Sequence, residues 1–233
     1  MKYKLILKLS IIFIGFLSCN SQLSKVKKMP LTEQEILELA TQIKAQDTVF
    51  MKEGRLDIQK LEKIGTPSGI VEPKRYNYIG IINQQINLKL TGNVESGYFK
   101  YVKLVDDLFE MYYEYYPSGI LKQSCELYSN EFAKGIRYWF DESGNVEKYE
   151  DCDAPYDFGW EDVKSFIEKE KIDMKSIIGI RRSYYEGNYE WAISYIPSEL
   201  EDTDSAKYIH LDGKTGQVTG TGVFSTARYL HLD

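Results

Sequence analysis

The sequence predicts an α+β protein whose sheets are antiparallel, and three observations support this fold class. Of the 19 tyrosines, 18 lie between Tyr76 and Tyr229, and aromatic side chains favour the half-buried surface of a sheet. From Arg75 onwards the residues alternate with period two, as in a strand with one buried face. Apolar residues with helical spacing precede this region and return between Trp160 and Ile167. The 233 residues are enough for one large or two small domains with a hydrophobic core.

Two helices are predicted in the N-terminal third of the chain. Thr32 and Glu35 have the spacing of a capping box, and apolar residues at helical spacing follow as far as Ile43. The second helix is predicted over 56–64, ending at the turn-forming residues 66–69. We expect the apolar faces of both helices to pack in the hydrophobic core.

Strands are predicted wherever aromatic and β-branched residues alternate with polar ones. Turns that carry glycine separate them, as hairpins require. The predicted strands are 76–83, 86–90, 98–104, 108–116, 177–185 and 189–196, with a turn at 186–188 and a further hairpin over 207–218.

The first 18 residues have the pattern of a secretory signal. Lys2, Lys4 and Lys8 precede an apolar stretch that is shorter than the roughly 20 residues of a transmembrane helix. Ser18 directly before Cys19 resembles the lipobox of bacterial lipoproteins, in which the signal is cleaved before the cysteine and its thiol carries diacylglycerol. This resemblance implies lipidation at Cys19 and anchoring in the cell envelope, with the outer membrane expected and its periplasmic or surface face left open. The alternative is an ordinary secretory signal with an incidental cysteine.

A sequence pattern recurs at 115–122 and 139–146, with Gly119 and Gly144 at equivalent positions. Each copy has an aromatic strand, a turn whose glycine can adopt positive φ, and an outgoing strand. The pattern resembles the MORN-like repeats of the YwqK-type antitoxin-like family over about 112–150. It implies an antiparallel β-meander of MORN-like hairpins and a role in binding.

The C-terminal third has the order helix, strand, a strand that contains Trp191, and a turn that begins at Asp212. This order resembles a PepSY-like helix-plus-antiparallel-sheet domain over about 157–222, although the insert at 197–206 departs from the compact family. PepSY domains are associated with binding and with inhibition of proteases. Together with the lipobox, the layout resembles lipoproteins of Bacteroidota.

The predicted organisation therefore has six segments. They are a lipoprotein signal peptide (1–18), a tether (19–29), a short helical segment (30–73), a β-meander with MORN-like repeats (74–153), a PepSY-like domain (154–223) and a C-terminal tail (224–233).

Composition and motifs narrow the functional classes. The formal net charge of -6 argues against a nucleic-acid partner, because proteins that bind nucleic acids normally have a basic patch. Zinc, P-loop and Rossmann patterns do not occur, so no cofactor is expected. The acidic residues between Glu147 and Asp162 offer oxygen atoms of the kind that calcium prefers, but their order does not match an EF-hand loop. We expect an acidic surface there and no metal.

Two pairs of residues are candidates for chemistry. His210 and Asp212 are two positions apart on a predicted strand and would share a face, which leaves a hydrolase as the alternative function. Cys125 and Cys152 remain once Cys19 is lipidated, and in an oxidising compartment they either form a disulfide or stay separate.

Doublets of tyrosine are the candidates for binding a protein partner. Neighbours on a strand point to opposite faces, so one member of each doublet is expected to face solvent, where tyrosine is a favoured interface residue. The candidate residues are Tyr113, Tyr115, Tyr184 and Tyr185. The sequence thus favours a non-catalytic, lipid-anchored envelope protein that binds another protein, as an antitoxin-like or protease-restraining factor.

Overall fold

The computed structural model describes residues 32–70, 72–129, 131–201 and 203–226 and has an α+β architecture dominated by antiparallel sheets. The predicted signal peptide, Cys19, the tether and residues 227–233 lie outside the described residues. The helices are α1 (Glu33–Gln46), α2 (Ile58–Ile64) and α3 (Trp160–Lys169). The strands are β1 (Met51–Lys52), β2 (Arg55–Leu56), β3 (Thr66–Ser68), β4 (Arg75–Ile82), β5 (Ile86–Asn93), β6 (Gly97–Leu104), β7 (Phe109–Tyr115), β8 (Leu121–Tyr128), β9 (Phe132–Phe140), β10 (Val146–Asp151), β11 (Ile177–Tyr185), β12 (Asn188–Tyr195), β13 (Ser205–Asp212) and β14 (Val218–Ser225).

Both predicted N-terminal helices are present. In α1, Ile36 and Ala40 are buried, as their helical spacing predicts. The second helix begins at Ile58 rather than at residue 56, because the Asp57 carboxylate accepts a hydrogen bond of 3.0 Å from the backbone N–H of Lys60 and caps the first turn.

Strands β3 to β10 form one eight-stranded sheet in which every strand pairs with its neighbours in sequence. This antiparallel meander covers the predicted segment 74–153. It also includes Thr66–Ser68, which the sequence indicated only as a break after the helix. That short strand pairs with β4 at the sheet edge, where Pro67 needs no N–H for a ladder bond on its free side.

The two copies of the repeated pattern have the same turn geometry. Gly119 and Gly144 have φ values of 80° and 81°. In the first turn the N–H of Tyr116 donates to the carbonyl of Ile120, and in the second the N–H of Asp141 donates to the carbonyl of Asn145, both at 2.9 Å. The turns that join β7 to β8 and β9 to β10 therefore share one geometry.

One face of the eight-stranded sheet packs against the N-terminal helices and the β1–β2 hairpin. Much of the tyrosine excess lies here, because rings on alternate positions of the strands point into this layer. The buried residues of this first core are Ile36, Ala40, Phe50, Leu56, Leu61, Leu88, Leu90, Tyr98, Tyr113, Tyr115, Leu121, Tyr138 and Phe140.

Strands β11 to β14 form a second antiparallel meander, against which α3 packs. The helix begins where the Asp162 carboxylate accepts the N–H of Gly159 at 3.0 Å. The last strand continues to Ser225, two residues beyond the predicted end of this segment. Between β12 and β13, the 197–206 insert contains a short 3-10 helix, Ser198–Leu200.

A second core joins the two sheets. Phe109 and Phe132 from the first sheet pack with Trp160 of α3, with ring centroids 5.2 and 5.9 Å from that of Trp160. Trp191 of β12 belongs to the same cluster. Because both sheets contribute to this core, the described residues from Glu33 onwards form one compact unit.

Candidate functional site

The hairpin formed by β11 and β12 has the most exposed tyrosines among the predicted site residues. Its two connecting residues, Glu186 and Gly187, have φ values of 49° and 88°. Positive φ at both positions is the geometry of a type I′ turn, which matches the twist of the flanking strands. Tyr185 pairs with Asn188 beside this turn. The turn predicted at 186–188 is present but one residue shorter, because Asn188 is the first residue of β12.

Tyr184 and Tyr185 lie at the tip of this hairpin with 64% and 69% of their surface exposed. The Tyr184 ring is 4.8 Å from the ring of Tyr189, its partner across the hairpin, and the Tyr189 ring is 5.4 Å from that of Tyr156. Tyr184 and Tyr189 lie on one face of this hairpin, and Tyr185, the neighbour of Tyr184 on β11, points to the other face. The three residues at the tip, on both faces, are termed the tyrosine patch below. The sequence did not single out Tyr189, although a two-residue turn at 186–187 would have placed it opposite Tyr184.

Arg182 anchors this hairpin to the first sheet. One guanidinium nitrogen donates to the carbonyl oxygens of Ala133 and Cys152 at 2.8 and 3.0 Å, and another donates to the Asp153 carboxylate at 2.7 Å. The Arg182 side chain is almost wholly buried. Because buried charges require paired geometry, these contacts define the position of β11 against β9 and the turn after β10.

Three aromatic rings enclose the same guanidinium. Its central carbon is 4.8 Å from the ring centroid of Phe132 and 4.5 Å from those of Tyr156 and Trp191. The Trp191 indole donates to the carbonyl of Phe158 at 2.8 Å. The tyrosine patch therefore projects from a base that is packed and hydrogen-bonded, so its rings are presented on a rigid element. The sequence alone does not indicate the role of Arg182, since an arginine next to Arg181 on a strand has no local signal of burial.

Tyr113 and Tyr115 are not surface residues, and their prediction as partner-binding residues is wrong. Only 3% and 1% of their surface is exposed. Both lie on the face of β7 that packs against the N-terminal helices. Burial raises the pKa of the Tyr115 hydroxyl well above its usual range, and the neighbouring Asp47 adds to this shift. Alternation predicts that the two members of a doublet point to opposite faces, but whether and where another layer covers one of those faces depends on the tertiary structure.

The hydroxyl of Tyr115 and the ammonium of Lys100 both donate to the carboxylate of Asp47. Lys100 also donates to the carbonyl of Val49 at 2.9 Å. Burial lowers the pKa of Lys100, while the Asp47 charge opposes that shift. Since all these groups are enclosed, we assign them a structural role, in which they hold the chain after α1 against the sheet. By alternation Lys100 shares its face with the buried Tyr98, and this is the signal of its burial that the sequence contains.

Cys125 and Cys152 are free thiols in the structure. Cys125 is in β8 and Cys152 follows β10, so β9 lies between them. Two strand spacings of about 5 Å each exceed the roughly 7 Å limit between Cα atoms for a disulfide. Burial raises the pKa of both thiols, that of Cys152 to about 11, although Arg137 beside them opposes the shift. Of the two alternatives left open by the sequence, the structure has separate cysteines.

His210 and Asp212 do not interact as a catalytic pair. The His210 Nδ1 atom is 3.4 Å from the carboxylate of Glu190 on β12. The Asp212 carboxylate instead accepts the N–H of Thr215 at 2.7 Å and its hydroxyl at 2.8 Å. These bonds lower the pKa of Asp212. The aspartate is thus a turn residue of the β13–β14 hairpin, as turn chemistry predicts.

Two further features are absent from the described residues. No group of three or more His, Cys, Asp or Glu side chains there is arranged to hold a metal ion. No helix in that part of the chain is long and apolar enough to cross a membrane. Comparison of the chain with protein-family models, with curated proteins and with solved structures found no match.

Proposed function

We propose that this chain is a non-catalytic, lipid-anchored protein of the cell envelope that binds another protein through its tyrosine patch. The observation that carries the proposal is the exposure of Tyr184 and Tyr185 at the tip of a hairpin anchored by Arg182. Tyrosine is enriched at protein interfaces because it brings a large contact area with few rotatable bonds. A rigid base adds to this, since little further ordering is needed on binding.

The class of partner follows from the two family resemblances. The equivalent hairpins at Gly119 and Gly144 are compatible with MORN-like repeats and favour a toxin that the protein neutralises. The helix α3 followed by a four-stranded meander with an Asp212 turn is compatible with a PepSY-like domain and favours a protease that it restrains. Both interpretations require that this chain forms a stable complex with another protein and does not itself catalyse a reaction.

A pulldown from envelope extract tests the binding. The bait is the chain from Asn20 onwards, and the test variant carries Tyr184→Ser and Tyr185→Ser. The matched control is Tyr149→Ser, because Tyr149 is an exposed tyrosine on β10, in the other sheet. We expect a stoichiometric partner with the parent chain and the control, and its loss with the double variant. If no stoichiometric partner is captured, or if the double variant retains it, the proposal is wrong.

The captured partner then distinguishes the two classes. A toxin would be identified by growth arrest on its expression and by relief of that arrest when this chain is co-expressed. A protease would be identified by peptide hydrolysis that stoichiometric addition of this chain inhibits. In either assay the Tyr184→Ser, Tyr185→Ser variant is expected to be inactive.

The lipid anchor is tested separately. Radiolabelled palmitate should be incorporated into the parent chain and absent from the Cys19→Ala variant. Incorporation that persists without Cys19 would contradict the anchor. This result is independent of the pulldown, which uses a chain without that cysteine.

A further inference from the structure

The buried side chains of Asp47 and Lys100 are in direct contact, with the Nζ atom of Lys100 against the Oδ1 atom of Asp47. The carboxyl carbon Cγ is one covalent bond beyond Oδ1 and is therefore within reach of the nitrogen. The ring centroids of Tyr113 and Tyr115 are 5.0 and 5.1 Å from Nζ, so aromatic carbon replaces water around it. An amine and a carboxyl group are the two halves of an amide bond, and fixed proximity replaces the high concentration that their reaction needs in solution.

We propose that Asp47 and Lys100 form an intramolecular isopeptide bond, in which Nζ of Lys100 is joined to Cγ of Asp47 and one water molecule is released. The bond links the segment after α1 covalently to β6. The ion pair is the state of the chain before this reaction. The reaction does not depend on whether the tyrosine patch binds a protein.

The pair itself supplies every atom and proton of the reaction. A proton first passes from the Lys100 ammonium to Oδ1 of Asp47, which leaves a neutral amine and a carboxylic acid. Burial favours the amine, since it lowers the pKa of Lys100, although the Asp47 charge opposes that shift. The nitrogen lone pair then attacks Cγ. A second proton moves from the nitrogen to Oδ1, the Cγ–Oδ1 bond breaks, and this oxygen leaves as water.

The hydroxyl of Tyr115 is placed to assist this attack. It donates to Oδ2, the other carboxylate oxygen of Asp47. When the nitrogen adds to Cγ, negative charge develops on Oδ2, and a donor that already points at this atom stabilises the charge. Burial and the Asp47 charge raise the pKa of Tyr115 well above its usual range, so the hydroxyl keeps the proton that it donates. Tyr115 is therefore the catalytic residue of the proposed reaction.

The surroundings also satisfy the amide that results. A buried secondary amide needs an acceptor for its N–H and a donor for its carbonyl oxygen. The carbonyl of Val49 already accepts a hydrogen bond of 2.9 Å from Nζ, and the Tyr115 hydroxyl already donates to Oδ2, which becomes the amide oxygen. Both hydrogen bonds are thus in place before the reaction. The reaction also replaces two buried charges, which are costly to enclose, by a neutral group.

Peptide mapping of the full chain tests the bond. Trypsin cleaves after lysine but not after a lysine whose Nζ is acylated. Digestion of the denatured parent chain should therefore yield a branched peptide in which 45–52 is joined to 90–103, lighter by one water than the two peptides together. Lys100→Arg and Asp47→Ala should yield only separate peptides. The control Lys89→Arg, at an exposed position of β5 that remains a trypsin site, should yield the branched peptide as the parent does.

A denaturing gel gives a second readout of the same bond. A covalent loop keeps the unfolded chain more compact, so the parent should migrate faster than Lys100→Arg. A parent chain that yields only the separate peptides 45–52 and 90–100 would overturn the proposal. So would a branched peptide that persists in Lys100→Arg, or equal migration of the two chains.

The rate of bond formation tests the part of Tyr115. The chain is sampled at intervals after its synthesis, and the branched peptide is quantified by mass spectrometry. In Tyr115→Phe the branched peptide should accumulate about 10²-fold more slowly than in the parent, because the donor to Oδ2 is lost. Circular dichroism checks that this variant is folded. Accumulation at the parental rate would overturn the catalytic assignment of Tyr115.

Discussion

Asp47 and Lys100 form an ion pair inside the first core, with only 3% and 0% of their side chains exposed. The pair joins the chain after α1 to β6, which is 53 residues further along. Because the pair is enclosed, the stability of the fold depends strongly on keeping both partners. A buried charge that loses its partner is stabilised neither by water nor by a counter-ion.

Replacing Lys100 by Met should lower the free energy of unfolding by about 3–5 kcal/mol, because the Asp47 carboxylate is left without its cation. The double variant Asp47→Asn, Lys100→Met should lie closer to the parent, since no isolated charge remains. Lys89→Met is the control, because Lys89 is exposed on β5 and should change stability by no more than about 0.5 kcal/mol. Urea unfolding measures all three. A single variant as stable as the parent would contradict the role of the pair.

Arg182 and Arg181 are adjacent in sequence but are expected to differ in their contribution to stability. Arg182→Ala should lower the free energy of unfolding by about 3–5 kcal/mol, because it removes a buried cation from the Asp153 carboxylate and from two carbonyl groups. Arg181→Ala loses an exposed ion pair with Glu131 and should cost about 0–1 kcal/mol. Denaturant unfolding with the same protocol compares them, and equal effects would argue against Arg182 as the anchor of the hairpin.

Removal of the side-chain hydroxyl should change the free energy of unfolding in opposite directions at Tyr138 and at Tyr115. The Tyr138 hydroxyl is buried and has no hydrogen-bond partner among the described residues, so Tyr138→Phe should raise the free energy of unfolding by about 1 kcal/mol. Tyr115→Phe removes a donor from the Asp47 carboxylate and should lower it by about 1.5–3 kcal/mol. Thermal and urea unfolding give the two signs. A destabilised Tyr138→Phe protein would show that this hydroxyl is satisfied.

The thiol of Cys152 should react slowly with alkylating reagents in the native protein. Its pKa is raised to about 11, chiefly by burial, so at neutral pH the thiol is protonated, and only the thiolate is nucleophilic. The alkylation rate should rise with pH up to about 11. After unfolding without a reductant, mass spectrometry should show both Cys125 and Cys152 modified. A pair that resists alkylation until it is reduced would mean that these cysteines form a disulfide after all.

Much of the local structure follows from the sequence alone. Alternation predicted the strand 177–185 with its observed bounds, the capping residues located α1, and the apolar spacing from Trp160 to Ile167 located α3. The glycines at 119 and 144 predicted two equivalent turns, because positive φ is a local requirement that few other residues meet. The α+β class followed from these periodicities, since they depend only on neighbours along the chain.

The candidate binding surface did not follow from the sequence in the same way. The two-residue period of a strand predicts that neighbouring tyrosines face opposite sides of the sheet. It does not predict which side another layer covers. In β7 the covered side carries Tyr113 and Tyr115, whereas at the tip of β11 both Tyr184 and Tyr185 are exposed, since the hairpin extends beyond its packing partners.

The local sequence therefore indicated the helices, most of the strands, their antiparallel order and the turn residues, because short-range backbone preferences and hydrophobic period specify them. The short strands β1, β2 and β3 had no such signal. That Lys100 is inside and that Arg182 joins the two sheets follows only from the three-dimensional arrangement. Each of these depends on contacts between residues far apart in the chain, and no local pattern encodes the surface that a distant segment covers.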